Sequence, residues 1–264
     1  MYLFLFFMND LQVIILAAGA GTRMGINMPK VLTPVHGKPL IFHLLETLED
    51  IGLAHTPVIV VGHKAEEVKT ALGDRYRYVH QTERKGTAHA VASAKHALRD
   101  SAPMTISFFG DTPFISKRSI RALVEKQRTE KPPFTMGTVR VPHFDDWYKG
   151  FFDFGRIIRN DRGQIINNIE KKQFTNDIAS IQEVNPGFYC FDSSWLWENI
   201  DSVPPTPPAN EHYLPHVITI ALEQNRPIAS IDMDPAECLG ANTPEHLRAI
   251  ERLLSEKTRD RVGA

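Results

Sequence analysis

The sequence predicts an α/β protein, with a doubly wound, mostly parallel β-sheet and a small antiparallel β lobe beside it. Three observations predict this class. From residue 11 to about 125, short apolar runs alternate with amphipathic stretches. The runs are β-branched and aliphatic without polar alternation, as strands buried on both faces are, and the stretches between them space apolar residues three and four apart, as helices packed on a sheet do. From about residue 134 the connections shorten, and Asp161-Arg162-Gly163 separates two strand-like segments. That turn signal reads as a hairpin.

Taken in order, LQVIILAAG predicts the first strand, IFHLLETLEDIG a helix, TPVIVVG a strand, AEEVKTALG a helix and RYRYVHQ a strand. GTAHAVASAKHALRD then predicts a helix, MTISFFGD a strand and SKRSIRALVEKQ a helix. The second half reads FTMGTVRV, GRIIRN, GQIINNIEK and EVNPGFYCFD as strands, and Pro204 to Pro208 (PPTPP) as the clearest loop. EHYLPHVITIALEQN predicts a helix, IASIDMD a strand and TPEHLRAIERLLSEK a final amphipathic helix, with Thr243 as its cap and Pro244 at its first position. No internal repeat is present, and in particular no hexapeptide periodicity.

The chain has 264 residues, enough to bury roughly three quarters of its unfolded surface. Thirty Lys+Arg stand against 31 Asp+Glu, so no basic field is available to hold a long polyanion, and nucleic acid is excluded as a partner. Cys190 and Cys238 are too few for a disulfide framework and lack zinc-site spacing; they read as ordinary reduced thiols. The apolar start, Met1 to Phe7, is seven residues long with neither a basic flank nor a small-residue cleavage site, so it cannot span a membrane. Met8 offers a second natural beginning, and Met1 to Phe7 reads either as an upstream extension or as an apolar arm packed on the domain. A cytoplasmic location with no membrane partner is expected.

The strongest chemical signal is Leu16-Ala17-Ala18-Gly19-Ala20-Gly21-Thr22-Arg23-Met24, followed by Pro29-Lys30 and Leu32. Small residues directly after a buried strand let the backbone approach phosphates, and successive N–H groups in such a turn form an anion-binding concavity. Arg23 and Lys30 add fixed positive charge for the leaving end of a triphosphate. A dinucleotide-binding turn is the competing reading; it requires an acidic residue about twenty positions on, at the end of a second strand. Residues 37 to 43 read GKPLIFH instead.

With these motifs the chain resembles the sugar-nucleotide pyrophosphorylases, and within them the N-acetylglucosamine-1-phosphate uridyltransferase domains of bifunctional members, from about residue 11 to 255. The family's LAAGxGTRM and PKxL signatures match Leu16 to Met24 and Pro29 to Leu32. The resemblance implies a Rossmann-like nucleotidyltransferase fold, nucleotide contacts from Leu16, Ala17, Ala18 and Gly19, and catalytic roles for Arg23 and Lys30. The family's base-binding glutamine, five residues before a GT pair, is matched by Gln81 and Gly86-Thr87. By itself Gln81 reads as a surface residue. Asp111, at the end of an apolar strand, and Asn242, in Gly240-Ala241-Asn242, match the family's GD and GxN motifs, which implies that they hold one Mg2+. Read alone, both are turn or capping residues. Gly155, Glu170 and Asn185 match the sugar-binding positions, although Glu170 is equally a hairpin charge and Asn185 a turn residue.

Three departures bear on the sugar: Pro186 follows the asparagine where the family has threonine, Phe109 precedes Gly110 where tyrosine is usual, and residues 143 to 153 are longer than expected. The resemblance implies a single nucleotidyltransferase domain over 1–264: a nucleotide-binding half (11–130), a sugar-binding half (131–240) and a closing helix (241–264). The expected reaction is Mg2+-dependent condensation of UTP with N-acetylglucosamine 1-phosphate, releasing pyrophosphate. Alternatives are another hexose 1-phosphate such as glucose 1-phosphate, another pyrimidine triphosphate, or a catalytically silent nucleotide-sugar-binding module. Arg23, Lys30, Asp111 and Asn242 together argue against the silent module. No nucleophilic triad is recognisable, and His80 and His89 read as structural. After the last helix only Lys257 to Ala264 remains, so neither acetyltransferase activity nor a trimer is expected, and the chain should be a monomer or weak homodimer.

Overall fold

The computed structural model describes residues 9–19, 21, 24–99 and 101–262. Along the chain run β1 (Leu11–Ala17), β2 (Pro34–Val35), β3 (Lys38–Pro39), α1 (Leu40–Ile51), β4 (Val58–Val61), α2 (Ala65–Leu72), β5 (Arg77–His80), α3 (Thr87–Ser93), α4 (Lys95–Leu98), β6 (Met104–Phe109) and α5 (Lys117–Glu130). There follow β7 (Phe134–Arg140), β8 (Gly155–Arg159), β9 (Ile165–Ile169), α6 (Asn176–Ala179), β10 (Glu183–Asn185), β11 (Tyr189–Asp192), α7 (Ser193–Asn199), β12 (Pro205–Thr206), β13 (Glu211–His212), α8 (Val217–Glu223), β14 (Ala229–Asp232) and α9 (Pro244–Val262).

Among the described residues, ten strands form one sheet in the order β5-β4-β1-β6-β11-β7-β10-β8-β9, with β14 also paired to β7. The β5-β4-β1-β6 part is wholly parallel, and Leu11–Leu16 lie in register with Met104–Phe109. All seven residues of β1 are buried, yet they divide by parity: Leu11, Val13, Ile15 and Ala17 enter one core cluster, Ile14 and Leu16 the other. A strand's alternation thus feeds two layers. Leu44, Leu45 and Leu48 of α1, Val68 of α2 and Leu123 of α5 pack on the first face; Val91 of α3, Leu196 of α7 and Val217 of α8 pack on the second. Helices on both faces make the sheet doubly wound, as predicted. The antiparallel lobe is β10, β8 and β9, continuous with the main sheet through β7.

Several segments depart from the expectations. EVNPGFYCFD forms two strands: Pro186 lacks a ladder donor and Gly187 turns at φ 86°, so β10 pairs with Val139–Arg140 and β11 with Phe134–Met136. The predicted loop Pro204 to Pro208 contributes Pro205–Thr206 to a small hairpin with Glu211–His212. The helix expected from Glu211 starts only at Val217, because Pro215 leaves residues 214–216 as a 3-10 turn. The helix expected over residues 86–100 divides at Ala94. Thr243 caps α9 as read, its hydroxyl accepting from His246 N–H at 3.2 Å. No described helix is long and apolar enough to cross a membrane.

Candidate active site

The chain leaves β1 for β4 and β5 on one side, then returns to β6 on the other. Crevices at such a switch point, outside the carboxyl ends of the strands, are where open α/β sheets bind ligands. A cleft of about 700 Å³ opens there, and its walls include Gly19 after β1 and Asp111 after β6. Leu16 and Ala18 line it beside Gly19. Ala17 does not: strand parity turns its side chain into the core of the opposite face, so any contact from it would be through backbone. Arg23 lies outside the described residues.

At one end, three segments distant in sequence converge. Lys30 leads a 3-10 turn and places Nζ 2.6 Å from Asp111 Oδ2 while donating to Asn242 Oδ1 at 2.9 Å. Ala241 N–H donates to the Asp111 carbonyl, which brings the 240–242 turn against the end of β6. A carboxylate oxygen and an amide oxygen therefore already meet on one cationic atom. That donor set suits Mg2+, which binds hard oxygens and keeps other positions for phosphates and water. Among the described residues no group of three or more His, Cys, Asp or Glu could hold a metal by itself, so substrate oxygens would complete the shell.

Along a second wall lie Gln81, Gly86 and Thr87. Gln81 follows β5 directly, and its backbone N–H donates to Val61 O at 2.7 Å. Gly86 sits at φ 93°, and a Cβ there would lie 2.5 Å from the His212 carbonyl oxygen; only glycine lets this loop approach β13 so closely. Two bonds fasten the contact: His212 N–H donates to Lys85 O at 2.7 Å, and Leu214 N–H donates to Thr87 Oγ1 at 2.8 Å. The Thr87 hydroxyl thus has a structural bond besides whatever it offers a ligand.

The third wall carries Gly155, Glu170 and Asn185. Asn185 Nδ2 donates to Asn168 Oδ1 at 3.2 Å, and Asn168 Nδ2 donates to Glu170 Oε1 at 2.7 Å. Asn185 is itself held by the buried Tyr189 hydroxyl and by Gly187 N–H. Gly155 is the floor of this chain of amides. The structure therefore joins all three predicted positions, through an Asn168 that the motifs did not single out.

Arg84, Asp153, Glu211 and Tyr213 also line the cleft without having been anticipated. Glu211 hydrogen-bonds the Tyr213 hydroxyl and, with burial, pushes its pKa up to about 12, so Tyr213 remains a neutral donor at physiological pH. Both sit in the segment read as helix, where no strand or turn signal marked them as cleft-facing.

Against known proteins, residues 13–183 match the MobA-like NTP transferase domain family. The chain is 36% identical over 253 residues to the bifunctional protein GlmU of Heliobacterium modesticaldum, covering 96% of this chain and 54% of that protein. It is 34% identical over 257 residues to the same-named protein of Bacillus subtilis, which covers 96% of this chain and 54% of that one. The chain therefore spans about half the length of these relatives. Among solved structures, a UDP-glucose pyrophosphorylase complexed with UDP-glucose superposes with TM-score 0.74 at 17% identity, covering 93% of this chain and 98% of that one, a likeness of fold. On this family match and these identities over nearly its whole length, the chain belongs to the MobA-like NTP transferase family as a homologue of GlmU.

Proposed function

We propose that this chain condenses UTP with N-acetylglucosamine 1-phosphate to UDP-N-acetylglucosamine and pyrophosphate, in the cytoplasm. The observation that carries the reading is the convergence of Lys30, Asp111 and Asn242 at one end of a cleft whose other walls offer a glutamine to a base and an amide–carboxylate chain to a sugar. The GlmU relatives support the choice of substrates.

In this reading an oxygen of the sugar phosphate attacks the α-phosphorus of the nucleotide; the bond to the α–β bridging oxygen breaks and pyrophosphate leaves with the electron pair. No protein nucleophile is required. Two polyanions must be aligned and their charge neutralised, and positioning with electrostatic stabilisation supplies most of such catalysis. Lys30 brings an ammonium to the phosphates, Gly19 and its neighbours bring backbone N–H groups, and Arg23 is assigned to the pyrophosphate end. Asp111 and Asn242 would hold Mg2+, which when bound supplies charge neutralisation on phosphate oxygens. Glu170 accepts from sugar hydroxyls, while Asn185 and Tyr213 offer polar contacts to the remaining substituents.

Pro186 and the extended 143–153 segment beside the acceptor wall favour one second reading, the same chemistry on another hexose 1-phosphate. Measuring pyrophosphate release from UTP, CTP, dTTP and ATP against N-acetylglucosamine 1-phosphate and glucose 1-phosphate decides between them. Absence of release from every pair with Mg2+ present would overturn the proposed activity.

A further inference from the structure

The Gln81 side chain is buried, and its Nε2 lies 3.0 Å from the Gly86 carbonyl oxygen and 3.0 Å from His89 Nδ1. A carbonyl oxygen can only accept, so the group facing Gly86 is the amide NH2, not Oε1. The second N–H of that group then meets His89 Nδ1, which must present a lone pair. His89 is accordingly neutral, with its proton on Nε2. Burial first, then the Lys85 ammonium and more weakly the His212 ring, hold its pKa below the ordinary histidine value, against the opposing Glu83 carboxylate and backbone. Both amide donors of Gln81 are thus engaged inside the protein. Oε1 is the polar atom that Gln81 has left for the cleft it lines.

We infer that His89 is a positioning residue for base selection: by accepting from Gln81 it fixes the amide with Oε1 as an acceptor toward the base. This rests on the reading of Gln81 as the residue facing the base. An acceptor there matches the N3–H of uracil or thymine and opposes the N3 lone pair of cytosine. Turning the amide over sets Oε1 against the Gly86 carbonyl, and against His89 Nδ1 as well unless the ring shifts its proton to that nitrogen, which is a second cost. Without His89 only one of those penalties remains, and the amide can present either sense. A residue read from sequence as structural thereby sets the sign of the recognition.

The test is the ratio of kcat/KM for UTP over CTP, measured with whichever of N-acetylglucosamine 1-phosphate or glucose 1-phosphate supports turnover, in the wild type and in Gln81→Ala, His89→Leu and His89→Asn. Asparagine offers an acceptor close to the position of Nδ1; leucine offers none. The expected result is an about tenfold or greater fall in the ratio for Gln81→Ala and His89→Leu, with the sugar-phosphate KM unchanged, and retention of the ratio in His89→Asn. In the wild type the ratio should also fall as pH is taken down through the lowered His89 value, where Nδ1 becomes a donor, and should fall further than in His89→Asn. Phosphate ionisation is common to both nucleotides and cancels in the ratio; protonation of cytosine N3 does not, but it is common to wild type and His89→Asn, so only the difference between them counts. If Gln81→Ala loses the preference but folded His89→Leu keeps it, the role of His89 is overturned and that of Gln81 stands. If Gln81→Ala keeps it, the base reading fails and this inference with it. Should His89→Leu not fold, the wild-type and His89→Asn pH series, carried to the acid limit of the folded range, decide: two coincident profiles refute the inference.

Discussion

Replacing Gly155 with alanine should damage acceptor binding, with some loss of stability, and leave the nucleotide side alone. A Cβ at this position would lie 2.6 Å from Asn168 Oδ1 and 2.9 Å from both Asn168 Nδ2 and Glu170 Oε1, closer than such atoms approach. The backbone cannot withdraw, because Gly155 is buried in β8, opposite Asn185 of β10. Asn168 and Glu170 must move instead. Their movement breaks the Asn168–Glu170 bond, to a charged acceptor, and the Asn185–Asn168 bond. A bond to a charged group contributes about 1.5–3 kcal/mol and a neutral one about 0.5–1.5. Water replaces part of both, leaving a loss of about 2 kcal/mol. Contacts from the same displaced side chains to the sugar should weaken to a similar extent, which at about 1.4 kcal/mol per decade is roughly thirtyfold in the KM for the sugar 1-phosphate. Pyrophosphate release, titrated separately in each substrate, should show this rise while the UTP KM moves by less than about twofold. A Gly155→Ala protein that melts like the wild type and keeps its sugar-phosphate KM would refute the argument.

Asp111→Ala and Asn242→Ala should each lower kcat about a hundredfold or more while circular dichroism stays unchanged, since each removes an oxygen assigned to the metal; full activity with Mg2+ sinks that assignment. Gly86→Ala must push a Cβ against the β13 backbone at φ 93°, a cost of about 1–3 kcal/mol, and calorimetry should record a Tm several degrees lower. Glu183 gives a pH prediction. Burial alone would raise its carboxyl, but hydrogen bonds and charge from Arg159, with Thr138 and Arg140, outweigh that and hold it below the ordinary carboxylate range. A depressed acid contributes stability that is present above its unfolded value and lost as pH falls through the folded one. Glu183→Gln should therefore be less stable at neutral pH and show a shallower acid decline in urea titrations; an unchanged acid slope would contradict this.

How much of this was legible in the sequence depended on whether the deciding contacts were local. The apolar runs of β1 and β4 announce burial on both faces, whereas β6 is buried despite Thr105 and Ser107, and the parity of β1 is what removes Ala17 from the cleft while keeping Leu16 and Ala18 in it. Gln81, Asp111 and Asn242 were singled out by resemblance to the family's motifs, not by their own residue type, and all three line the cleft. Asn168 was not, because its value lies in joining its near neighbour Glu170 to Asn185 on another strand. Glu211 and Tyr213 were hidden for a similar reason: EHYLPHV has helical spacing, whereas pairing with Pro205–Thr206 and anchorage on the 85–87 loop make it a strand and a turn. His89 was read as structural, and only the two distances at Gln81 Nε2 give it a direction.

The bonds from His212 to Lys85 and from Leu214 to Thr87 have an energetic meaning. They fasten the strap that carries Glu211 and Tyr213, on the acceptor side in the proposed reading, to the loop that carries Gly86, on the base side. In the proposed reading this fastening couples the base side to the acceptor side, since a shift of the 85–87 loop is carried to the strap. It also ties the evolution of the two specificities together: a change of acceptor made through the strap is felt at the base, so substitutions on the two sides should fail to add.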